Sequence, residues 1–167
     1  MPSMYDVSVP VFVRALSNLS AVLEKGEAFA MAKGIDPSEL IEARLIADMD
    51  PLRSQIQRAS DSSKGAGARL TGTENPGFTD DEKTFAELQE RIAKTIAYLK
   101  GLDPAAFEGS DTRKVQINVR RAPVSLPGQE YLFKFALPNV FFHVTTAYDI
   151  LRSKGVEIGK MDYLGEI

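Results

Sequence analysis

The chain has a single histidine, His143, and no cysteine. That limits the available chemistry before any fold is considered. Without cysteine there is no thiolate nucleophile, thiolate zinc site, iron–sulfur cluster or disulfide. The histidine lies in "LPNVFFHVTTAYDIL", Leu137 to Leu151. An imidazole there can serve as a metal ligand, a general base, or a polar tie within a helical core. A metal needs further ligands, at i+3 or i+4 on the same helix and on facing helices. Counting from His143, those positions hold Thr146 and Ala147, with Asn139 one turn back. None is a strong ligand. A serine or threonine nucleophile needs an adjacent base, and no strand-turn-helix elbow surrounds this histidine. Thr145 and Thr146 read as helix residues bonding their own backbone. "SKGAGARLTG" has glycines and a lysine but lacks the lysine–hydroxyl ending of a phosphate loop. It reads as small residues that let helices approach closely.

Three other polar residues sit beside apolar stripes. Gln55 flanks the Leu52–Ile56–Ala59 stripe, Asp48 comes just before it, and Tyr148 carries a hydroxyl on the core face of the last helix. His143, Gln55, Asp48 and Tyr148 form the candidate ligand-binding set, with no metal among them. The alternative is that each is only a buried polar tie.

The elements that must position these residues follow from periodicity. Val9, Phe12, Val13, Leu16, Leu23 and Ala30 form one stripe of a first long helix, closed by Gly34. "IDPSEL" opens a short helix, with Asp36 as N-cap and Pro37 at the first position, ending near Ile46. Leu52, Ile56, Ala59, Ser63, Ala66 and Leu70 give a near-heptad seam on a second long helix. "TDDE", Thr79 to Glu82, has the pattern of a capping box before a third, whose face is Phe85, Leu88, Ile92, Ile96 and Leu99. Residues 103–126 alternate as a two-stranded excursion, with Pro123 on an edge. The fourth helix runs from about Gln129 to Lys154 and is expected to kink at Pro138. On its wheel, Phe133, Leu137, Val140, Phe141, Val144, Tyr148 and Leu151 form the core stripe. His143 lies about 100° to one side, and Phe142 points outward and needs cover. The tail residues Ile158, Tyr163 and Leu164 are expected to pack back on the helices.

These elements predict an all-α fold: a four-helix bundle with long crossover connections and a small β-hairpin before the last helix. The 167 residues suggest one domain, 1–167. A net charge of −3 gives no basic footprint for nucleic acid. The apolar runs are too short to span a membrane. The N-terminus lacks the basic start and unbroken apolar core of a signal peptide. A cytoplasmic protein is expected.

Three stretches carry a resemblance: "MYDVSVPVFVRALSNLSAVLEK", "DMDPLRSQIQRASDSSKGAGARLTG" and "LPNVFFHVTTAYDILRSKGVEIGKMDYLG". Together they resemble a bacterial family, domain-of-unknown-function family nineteen ninety-three, within the DinB/YfiT-like superfamily. The resemblance implies a DinB-like bundle and a homodimer. Better-understood members of the superfamily hold a divalent metal with three histidines, and some are thiol-dependent transferases. Two of those histidines form an H-x-x-x-H pattern on the last helix. His143 matches the first, but Ala147 stands at the second, and the third position falls near Gln55 or Gln57. The resemblance therefore carries over no metal or cofactor. Asp50 also departs from the pattern, where an aromatic is expected after "DM"; this bears on local packing. The function expected is small-molecule binding or an accessory role, with a pocket near His143. Two alternatives are a transferase-like enzyme using His143 as general base, and a purely structural dimer with Phe142 in the interface.

Overall fold

A computed structural model describes residues 2–166. Helical spacing of apolar residues builds α1 (Val9–Lys33), α3 (Leu52–Thr71) and α4 (Phe85–Lys100). The short α2 (Pro37–Ile41) lies between the first two. Gly34 closes α1 in the left-handed region, at φ 64°, where a side chain would be strained. Asp36 caps α2, its Oδ1 accepting from the Ser38 N–H at 2.9 Å. This helix ends at Ile41 rather than near Ile46. Leu45 and Ile46 are exposed, so continuing the helix would bury no further apolar face. The connection instead turns back, and the Leu52 N–H donates to the Ala43 carbonyl.

The six seam residues of α3 are all buried. Small residues do let helices approach there. A Cβ on Gly67 would lie 2.6 Å from a Leu102 methyl. Ser60 and Thr95 share a hydrogen bond of 2.7 Å between α3 and α4.

The capping box of α4 is not the expected one. Thr84 and Glu87 form it: the Glu87 N–H donates to Thr84 Oγ1, and the Thr84 N–H to Glu87 Oε2. Both tetrads have the same T-x-x-E form, but only Thr84 directly precedes Phe85, the first buried residue. Thr79 to Glu82 belong to the connection 72–84.

After a 3₁₀ turn at Pro104–Phe107, strands β1 (Lys114–Val119) and β2 (Ala122–Pro127) pair antiparallel. Val115 and Ile117 face inward, as their alternation predicts. Arg120 and Arg121 make the two-residue tip, both at positive φ.

The last long helical run has three parts: α5 (Gly128–Tyr131), a π-turn (Leu132–Ala136) and α6 (Leu137–Ser153). The kink expected at Pro138 takes the form of this π-turn, in which the Leu137 N–H reaches the Leu132 carbonyl. The wider turn corrects the straight-wheel stripe. Leu132 and Ala136 are buried, whereas Phe133 is 48% exposed. One extra residue before Pro138 displaces the upstream phase relative to Val140, Val144, Ala147 and Leu151. Phe141 is also less buried than the wheel suggests, at 38% exposure.

α3 packs on α6 and α4, and α1 packs on α4 and α6. Phe12, Leu16, Leu23, Ile56, Leu88, Ile92, Val140 and Leu151 belong to their common core. The tail returns as expected. α7 (Lys160–Leu164) packs on α1, where Arg14 donates to the Leu164 carbonyl and Asn18 to the Tyr163 carbonyl. Among the described residues, no helix is long and apolar enough to cross a membrane.

Candidate functional site

The packing of α3 against α6 brings two of the four sequence candidates together. His143 Nδ1 and Gln55 Oε1 are 2.8 Å apart. Gln55 is buried in the first turns of α3, and its Nε2 donates to the Asp50 carbonyl at 2.9 Å. That carbonyl can only accept, so the amide nitrogen must face it and the amide oxygen must face the ring. Nδ1 therefore carries the proton and donates, and the lone pair sits on Nε2. Among the described residues, Nε2 has no hydrogen-bond partner, and the histidine is only partly buried. Solvent therefore reaches it.

Burial and charge together keep the ring neutral. Burial, and then the nearby Arg58 guanidinium, push the His143 pKa down to about 4, with Asp50 acting in the opposite sense. The ring is neutral at pH 7. Arg58 Nη2 pairs with Asp50 Oδ2 at 2.7 Å, and the Phe142 ring stands edge-on to the imidazole with centroids 5.3 Å apart. The site thus comprises a neutral acceptor, an amide that orients it, and an ion pair beside it.

The other two candidates lie elsewhere. Asp48 is exposed in the turn before α3 and makes no hydrogen bond or ion pair among the described residues. Asp50, two positions on, lies where the chain enters α3 and is the acid whose charge acts on the ring. Tyr148 is five residues from His143, about 140° around the helix. Its hydroxyl reaches the tail at the Ile158 carbonyl, 3.4 Å away. Asp50 and Arg58 were not identified from the sequence. Arg58 is three residues after Gln55 and shares its helical face, which is the signal that would have found it. The departure at Asp50 also bears on more than packing, since that residue supplies both a carbonyl and a carboxylate here.

The donor set does not suit a divalent metal. Gln55, not Gln57, occupies the place opposite His143; Gln57 Nε2 instead donates to Glu82 at 2.8 Å. Ala147 is fully buried and offers only a methyl group. Among the described residues, no group of three histidine, cysteine, aspartate or glutamate side chains is placed to hold a metal. The adjacent Arg58 cation would also oppose a second positive charge. One imidazole, whose Nδ1 is already engaged, and one amide oxygen fall short of the ligands a transition metal needs.

The profile of a family described as "Domain of unknown function (DUF1993)" matches residues 4–164. The chain is also similar to a solved structure, that of a DinB family member protein from Shewanella denitrificans. The two are 44% identical with a TM-score of 0.91, over 98% of this chain and 93% of that one. Among curated proteins, none matches.

Proposed function

The chain belongs to the DUF1993 family, and from that premise we propose that it is a metal-free, small-molecule-binding DinB-like bundle protein whose ligand meets His143. On this reading the four long helical runs form a single four-helix domain over 1–167 in a cytoplasmic homodimer. The observation that carries the proposal is the fixed neutral imidazole. Gln55 holds Nδ1, and Nε2 presents a lone pair to solvent beside the Asp50–Arg58 pair. Such an atom accepts a hydrogen bond from a neutral N–H or O–H group of a ligand.

The enzyme alternative, with His143 as general base, has less support. An efficient base has a pKa near the working pH, and this one is held near 4. The structural-dimer reading draws on Phe142, 55% exposed, with Phe133 and Phe141 on the same helical run. It is compatible with ligand binding and adds the dimer interface.

The test is a melting-shift screen of neutral hydrogen-bond-donor fragments against wild type and His143→Ala. Hits should stabilise wild type and lose that effect in the variant. Hits indifferent to His143, or one tightly held divalent metal per chain, would refute the reading. Sedimentation at several concentrations tests the dimer; a strict monomer would remove it.

A further inference from the structure

The hairpin differs in charge from the rest of the chain. From Thr112 to Gln129 there are four cations, Arg113, Lys114, Arg120 and Arg121, and no acid, although the whole chain is at net −3. Among the described residues, none of the four pairs with a carboxylate. Arg113 donates to the Leu70 carbonyl, whereas Lys114, Arg120 and Arg121 are exposed. The two tip residues have φ of 51° and 66°. That is the type I′ form, where asparagine and glycine are the usual occupants and a longer side chain is strained. The tip thus holds two cations where the turn itself favours uncharged residues.

The sheet has only two strands, so each has a free edge. A two-residue tip makes Val119 and Ala122 a hydrogen-bonded pair, and bonded pairs alternate with unbonded ones along the ladder. The unbonded pairs are Asn118 with Pro123, Gln116 with Ser125, and Lys114 with Pro127. Their backbone groups point away from the partner strand. On β2, proline removes the outward N–H at two of these three positions, which closes that edge to a further strand. On β1 every outward position keeps its N–H and carbonyl, about 7 Å apart along the edge. None of these N–H groups has another partner among the described residues. Gln116 and Asn118 are exposed.

These groups select the occupant. An edge offering donors and acceptors in alternation is matched by an extended peptide. The phosphates of a lipid surface or a nucleic-acid backbone only accept, and would leave the outward carbonyls unmet. A second copy is a poor match, because β1 laid on β1 would bring like cations together. We propose that the outer edge of β1 takes up an extended acidic segment of another protein as a third strand, its carboxylates meeting Lys114 at one end and Arg120 and Arg121 at the other.

The test is fluorescence anisotropy at low salt, with the full chain and a labelled octapeptide of alternating glutamate and threonine. Wild type should bind it, and amide exchange at Gln116 and Asn118 should slow at saturation. Arg120→Asn/Arg121→Gly installs the residues the turn prefers, so the hairpin stays folded, and should weaken binding about tenfold. Gln116→Pro deletes one outward N–H and leaves the ladder intact, and should also weaken binding about tenfold. If that variant disrupts the hairpin, the peptide N-methylated at every glutamate, or at every threonine, replaces it. One of the two should fail to bind while the other binds, because only alternate N–H groups of an added strand face β1. The proposal fails if wild type does not bind the peptide, if exchange at Gln116 and Asn118 is unchanged, or if methylation in neither phase matters. Phosphatidylserine vesicles or a single-stranded oligonucleotide bound as tightly as the peptide, with all binding indifferent to Gln116→Pro, would reduce the surface to charge alone and overturn it as well.

Discussion

Replacing His143 by asparagine tests the electrostatic description of the site most directly. The asparagine side-chain N–H₂ can take the place of Nδ1–H and keep a donor on Gln55 Oε1, while removing the titration. In the folded chain His143 gains its proton only near pH 4, whereas unfolded it does so near 6.5. The unfolded state therefore binds more protons between these values, and wild-type stability falls as pH drops through that window. Above about 6.5 the contribution is complete; below about 4 it is lost. Full linkage over the window is about 3 kcal/mol, and solvent at the outer edge of the ring screens it to about 2 kcal/mol. Denaturant unfolding of both proteins from pH 7.5 to 4.5 isolates this term, because the remaining carboxylates titrate alike in each. The stability difference should shift by about 2 kcal/mol against wild type as pH falls. Parallel curves would show that the ring is not held neutral, and the binding reading built on that neutrality would fall with them.

Gln55→Leu strips the imidazole N–H of its acceptor and should cost about 1–3 kcal/mol in chemical denaturation. Histidine nitrogen shifts in NMR should then lose the fixed Nδ1–H tautomer; an unchanged tautomer would refute the role given to Gln55. Thr84→Ala should cost about 1 kcal/mol through the lost cap, while Thr79→Ala should cost less than about 0.5 kcal/mol. The reverse order would restore the capping box to "TDDE". Gly128→Ala would drive a methyl group into the Ser110 carbonyl and should lower stability by about 2 kcal/mol or more, measured by melting; a neutral effect would contradict the close approach between α5 and the chain before β1.

Periodicity made the α3 seam legible in the sequence, because each apolar or small residue from Leu52 to Leu70 in that stripe is buried. The hairpin was legible too, through the alternation of Val115, Ile117 and Val119. The capping box was not, because two T-x-x-E tetrads compete and only tertiary contact chooses between them. Glu82 looked like a capping acid and is instead a partner of Arg91 and Gln57. The aromatic stripe failed at Phe133 because a wheel assumes one pitch throughout, and the helix widens at Leu132–Ala136. At the site, Gln55 and His143 were recognisable as polar residues beside apolar stripes. Asp50 was missed in favour of Asp48 because local pattern does not say which acid the chain sets beside Arg58 and Gln55 as it enters α3.

The π-turn at Leu132–Ala136 has a consequence for how this chain tolerates insertions and deletions. It sits between two independently anchored pieces: the hairpin end, fixed through Tyr131 and Gly128, and α6, fixed against α3. Losing one residue from the turn would rotate the upstream piece by about 100° relative to α6 and re-aim the hairpin. His143 lies downstream of that joint on α6, and its partner Gln55 lies on α3, which packs directly on α6, so their pairing does not depend on the joint. The hairpin end can therefore change length or direction between relatives while the histidine stays where it is.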